Sequence, residues 1–144
     1  MMIVLKRLVG AVALGLLSSC ASMRDGPEIT RGCSPGNCNV SVTVVNCAVT
    51  VSPDPITLPT SKNIKWTIDS SGFKFPPSGG PPSDGILITG YGFTLNPGVN
   101  GNRTQFKVHD DRTDKRPNIK YVVQVIREAD GQACPPHDPF INNQ

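Results

Sequence analysis

The residues of this chain best equipped for chemistry are its five cysteines, its two histidines and a cluster of aspartates. Cys20 stands apart at the end of the first apolar run, which leaves Cys33, Cys38, Cys47 and Cys134. A four-cysteine zinc site takes two close pairs at spacings of two to four residues, and Cys134 has no close partner. An even set in an exported chain reads instead as two disulfides, with three ways of pairing them. Cys33 and Cys38 flank Ser-Pro-Gly-Asn, a turn sequence, so a local bridge fits there and leaves Cys47 to Cys134. Chain-entropy reasoning gives about 2 kcal/mol for the short loop and about 4.5 kcal/mol for the long one, so the long bridge does more for stability.

His109 and His137 lie beside aspartates in polar turns, and no Gly-x-Ser-x-Gly is present to supply an activated serine. Acyl transfer by a serine triad needs nucleophile, base, orienting carboxylate and oxyanion hole together, so no catalytic residue is expected and the chain reads as a non-enzyme. Asp110, Asp111 and Asp114 have oxygen ligands suited to calcium. However, Arg112, Lys115 and Arg116 stand among them, and the segment reads as a solvated turn of mixed charge. No cofactor and no metal are expected.

These groups must be positioned by strands. Fourteen glycines and fourteen prolines work against long helices, because proline removes a backbone donor and glycine costs conformational entropy. Apolar residues recur at every second position, and Val, Ile and Thr dominate them, as strands prefer. In "CNVSVTVVNCAVTV" (38–51) the alternation changes phase, which predicts a β-bulge or bend at Val44–Asn46. Three prolines confine Ile56-Thr57-Leu58 to an edge or a short strand. Ile64, Trp66 and Ile68 alternate in the next strand, with Trp66 as a core anchor. Ile86-Leu87-Ile88 reads as a short buried strand, Tyr91, Phe93 and Leu95 alternate in another, and Phe106 and Val108 in a third. "IKYVVQVIRE" (119–128) forms the longest late strand, and the tail holding Cys134 is expected to lie extended over the surface. The resulting fold class is all-β: a two-sheet antiparallel sandwich of about seven to eight short strands with two disulfides. The proline-glycine loop 76–85 is its most binding-like surface, since stiff loops on a rigid scaffold lose less entropy on engagement.

The start of the chain gives an address. Lys6 and Arg7 precede ten uncharged residues, Leu8 to Leu17. That run is shorter than the ~20 apolar residues a membrane span needs, and it has the build of a secretory leader. Leu17-Ser18-Ser19-Cys20 resembles the lipobox of bacterial lipoproteins. The resemblance implies a signal peptide at 1–19, cleavage before Cys20, and acylation of Cys20 with palmitate-type chains. It further implies a lipidated tether at 20–32 and a domain at 33–144. Several acyl chains anchor firmly where one holds only marginally. Ala21 is not the aspartate of inner-membrane retention, so the family analogy favours the periplasmic face of the outer membrane. Loss of Lys6 and Arg7 leaves 12 basic and 11 acidic residues, close to neutral. With no cationic stripe, nucleic acid is not an expected partner. The membrane, through the lipid, and an envelope protein are.

"SPDPITLPTSKNIKWTI" is similar to the early strands of cupredoxin-like domains, and "IKYVVQVI" to their late tyrosine-bearing strand. Ig-like sandwiches match as well. The cupredoxin resemblance implies a ligand loop, and Cys134-Pro-Pro-His137 has the Cys-x-x-His spacing of part of one. A blue copper site needs two histidines, a thiolate and usually an axial methionine. No methionine follows His137, and His109 falls on a polar phase. An atypical metal-binding cupredoxin is therefore the alternative to a structural or binding module.

Overall fold

A computed structural model describes residues 33–34, 36–58, 62–77 and 85–143. The expected signal peptide 1–19, the expected tether 20–32 with Cys20, residues 59–61 and the centre of the proline-glycine loop lie outside the described residues.

Alternation builds the first sheet. β2 (Asn37–Val45) turns Cys38, Val40, Val42 and Val44 inward. β5 (Lys62–Ile68) contributes Ile64, Trp66 and Ile68, and β9 (Gln105–Asp110) contributes Phe106 and Val108. With β1 (Cys33–Ser34), β3 (Ala48–Ser52) and β8 (Phe93–Val99) they form a six-stranded sheet in the order β1-β2-β5-β9-β8, with β3 also on β2. The second sheet has the order β4-β12-β10-β7, from β4 (Ile56–Leu58), β12 (Phe140–Asn143), β10 (Ile119–Val123) and β7 (Ile86–Ile88). A third, two-stranded piece pairs β6 (Phe73–Lys74) with β11 (Ile126–Arg127).

Apolar residues of the two larger sheets share one core, the layering of a sandwich. Trp66, fully buried, is at its centre, with its ring centroid 5.5 Å from Tyr121 of the facing sheet and 6.4 Å from Phe106. Edge and tilted ring contacts of this kind add about 0.5–1.5 kcal/mol beyond area burial.

The all-β class, the anchor role of Trp66 and both disulfides agree with the sequence reading. The sheets are not purely antiparallel: β2 pairs parallel with β5, and β4 with β12. The chain leaves the first sheet at β4 and returns beside β2, so β5 runs the same way as β2. Among the described residues there are twelve strands where seven or eight were expected, because several are two- or three-residue pieces.

Three expectations are corrected. The phase change at Val44–Asn46 is a hairpin, not a bulge. β2 and β3 pair antiparallel from Ser41↔Ser52 to Val45↔Ala48, with Asn46 and Cys47 at φ 51° and 62° in the turn between them. Positive φ at both central residues is the type I′ arrangement that matches strand twist. Val49 therefore faces inward opposite Val44. The long late strand stops at Val123; Val125 stays buried, but Ile126–Arg127 pair with β6. The tail does not lie over the surface: β12 sits between β4 and β10, with Ile141 fully buried.

Candidate functional site

The four sulfurs pair as the spacing argued. Cys33 and Cys38 are direct partners in the β1–β2 ladder and are bonded to each other. Cys47, in the type I′ turn, is bonded to Cys134 at a sequence separation of 87. Cys20 lies outside the described residues. The Arg127 guanidinium approaches Cys47 Sγ at 3.8 Å, and Asp130 holds it in place at 2.9 Å.

The histidines are not brought together. His109 is on the first sheet, its Nδ1 3.0 Å from Asn63 Oδ1. His137 forms a backbone bridge with Val123 of the second sheet and has its Nε2 3.8 Å from Asp54 Oδ2. With the Cys134 sulfur bonded to Cys47, Cys134-Pro-Pro-His137 presents no thiolate. Among the described residues no three His, Cys, Asp or Glu side chains converge on one point.

The aspartate cluster differs from the solvated turn expected. Asp110 and Asp114 are fully buried, and only Asp111 is exposed. Asp114 accepts from Arg116 Nε at 2.8 Å and from the Tyr91 N–H at 3.3 Å. The Arg116 hydrogen bond and charge hold its carboxyl down at about 2 against the desolvation that opposes ionisation. Asp110 goes the other way, because burial raises its pKa. Its Oδ1 accepts the Arg112 N–H at 2.8 Å, but its Oδ2 has no partner in hydrogen-bonding geometry, although the Asn143 amide is near enough to favour the ionised form. Asn143 donates to the Asp114 carbonyl at 2.7 Å, which ties β12 to this segment. The buried carboxylates thus pin a corner of the fold.

The polar phases of β2, β5 and β9 make the most organised exposed surface. Ile68 N–H donates to Thr104 O at 2.9 Å in the β5–β9 pair. Two-residue alternation then puts Lys65 directly opposite Lys107 at a non-hydrogen-bonded site, where Cβ atoms approach to about 4.5–5.5 Å. Asn39 of β2 continues that rank across the sheet. One rank away, roughly 6.6 Å along the strands, are Asn37, Asn63 and His109; on the other side are Ser41, Thr67 and Gln105. Among the described residues no carboxylate lies within ion-pair distance of Lys65 or Lys107. A groove of about 440 Å³ opens beside the lysine pair, lined by Asn39, Ser41, Thr43 and Thr67, with Lys65 and Asp69 also on its wall. Asp69 is hydrogen-bonded to the Ser41 hydroxyl.

Sequence reasoning missed this face. Alternation marks Lys65 and Lys107 as outward, but their adjacency depends on a register between strands about forty residues apart, and periodicity carries no such information.

No protein-family description matches the chain, and no curated protein is significantly similar to it in sequence.

Proposed function

We propose that the chain is a lipid-anchored lipoprotein of the bacterial envelope. Its folded domain works as a non-enzymatic structural or binding module at the periplasmic face of the outer membrane. The observation that carries this reading is Ser18-Ser19-Cys20 placed directly after a ten-residue uncharged run with Lys6 and Arg7 before it. Two disulfides are consistent with it, because such bonds persist in oxidising compartments such as the periplasm. The twelve residues between Cys20 and Cys33 would let the domain stand off a membrane by up to roughly 40 Å when extended. A cupredoxin-like metal carrier would need the Cys134 thiolate, which is committed to Cys47.

The test is Cys20→Ala in the native host, followed by palmitate labelling and membrane fractionation. The wild-type chain is expected to carry label and sediment with outer membrane. The variant is expected to lose the label and to remain uncleaved or appear in the soluble fraction. A labelled, membrane-bound variant would remove Cys20 as the anchor.

A further inference from the structure

We infer that the outer face of the first sheet is a binding site for an anionic saccharide, its oxyanion held between Lys65 and Lys107 and its hydroxyls along the adjoining groove. The inference rests on reading the domain as a binding module, and it does not depend on lipidation.

Three observations converge on it. Like charges placed directly across a strand pair repel, and a surface shaped only for solubility intersperses both signs. Here Lys65 and Lys107 face each other with no carboxylate in their own rank or in the ranks on either side. A bound anion would relieve that repulsion and accept charge-assisted hydrogen bonds from both ammonium groups. The second observation is chemical. Beyond the lysines, the face offers amides and hydroxyls, Asn39, Ser41, Thr43 and Thr67 foremost, and no aromatic platform. Such groups both donate and accept, as a polyhydroxylated ligand requires, whereas a hydrophobic peptide would find Val40, itself buried, as the one apolar side chain in the lining. The third is shape. The 440 Å³ groove begins at Lys65 and includes Asp69, four residues or roughly 13 Å further along the chain, which is room for one to two sugar rings. Its side chains project from paired strands, so little ordering is left for binding.

The anion is a phosphate or carboxylate carried on a sugar, and the choice of probes separates these. The experiment is amide chemical-shift titration of the full chain with glucose phosphate, glucuronate, glucose and inorganic phosphate, repeated on the Lys65→Gln/Lys107→Gln variant. Lys120→Gln is the control, because Lys120 is paired with Asp138 away from this face. At least one of the two anionic sugars is expected to shift Asn39, Lys65, Thr67 and Lys107. It should bind at least about tenfold tighter than glucose or inorganic phosphate, and about tenfold weaker to the double variant, as loss of two charge-assisted contacts predicts. The control should bind like wild type.

Inorganic phosphate binding as well as the anionic sugars would reduce the site to a simple anion patch and overturn the saccharide assignment. Equal titration of wild type and double variant, or no shifts on this face with any probe, would overturn the site itself. Should an envelope protein co-purify equally with wild type and double variant, the binding-module reading would stand while this face dropped out of it. A spectrum of the unliganded double variant that overlays the wild type away from the substitutions shows that its fold is intact.

Discussion

Asp110 and Asp114, four residues apart and both fully buried, respond to pH in opposite directions. Asp114 is held at about 2 by Arg116, below the ~3.9 of an unfolded aspartate. Its stabilisation is therefore complete above the unfolded value and is lost as pH falls toward 2. Asp110 is raised by burial. Its contribution is present below the unfolded value and is lost as pH rises through its higher folded value, so at neutral pH its ionisation works against folding. Asp114→Asn should lower stability at pH 7 by about 1–3 kcal/mol, the scale of lost charged hydrogen bonds, and converge on wild type near pH 2. Asp110→Asn should raise stability at pH 7 by about 1 kcal/mol, since it removes the buried charge while its amide oxygen can still accept the Arg112 N–H, and should match wild type near pH 3. Thermal melts of the three chains across pH check both. A destabilised Asp110→Asn at pH 7 would show that the buried carboxylate is fully compensated. None of this was legible in "DDRTDKRPN". Three cations among three aspartates read as a solvated turn, and only the packing of β12 against the segment shows two of the aspartates to be enclosed.

At the scale of elements, the β2–β3 hairpin shows how far pattern reading extends. The reversal of phase between Val44 and Val45 located the discontinuity correctly. Its kind was misread, because Asn46-Cys47 lacks the glycine that usually marks a type I′ turn and a cysteine at φ 62° is uncommon. The Cys47–Cys134 bond holds the turn to the tail, and Asn46 is of the type that tolerates the left-handed region. Asn46→Ala should cost about 1–2 kcal/mol and Asn46→Gly close to nothing, because only alanine pays the Cβ penalty there. Chemical denaturation of the two variants measures the difference; equal losses would place the role of Asn46 in its side chain and not in its backbone. β12 escaped prediction for a different reason. "FINN" has one strongly apolar inward residue, Ile141, and is preceded by three prolines in a short span. Its place in the sheet comes from parallel pairing with β4 and antiparallel pairing with β10, which no local pattern encodes.

For the whole molecule, the class was readable because strand periodicity, turn residues and cysteine parity all pointed the same way. The strand order and the lysine-bearing outer face were not, since both are set by pairings across tens of residues. Two disulfides close loops of very different length. The longer one joins the first hairpin to the tail that supplies the central β12, so the same bond that removes Cys134 from metal chemistry also ties the two ends of the domain together. On the proposed reading, the Leu17-Ser18-Ser19-Cys20 motif and the two disulfide staples suit an anchored assembly or recognition element. The measurement that bears most directly on this account is intact mass spectrometry of the chain isolated from its native membrane, before and after reduction. The account predicts a chain beginning at Cys20 with added acyl mass and a gain of about 4 Da on reduction of two disulfides. An unacylated chain cleaved elsewhere, or one that gains no mass on reduction and carries a metal adduct, would contradict it.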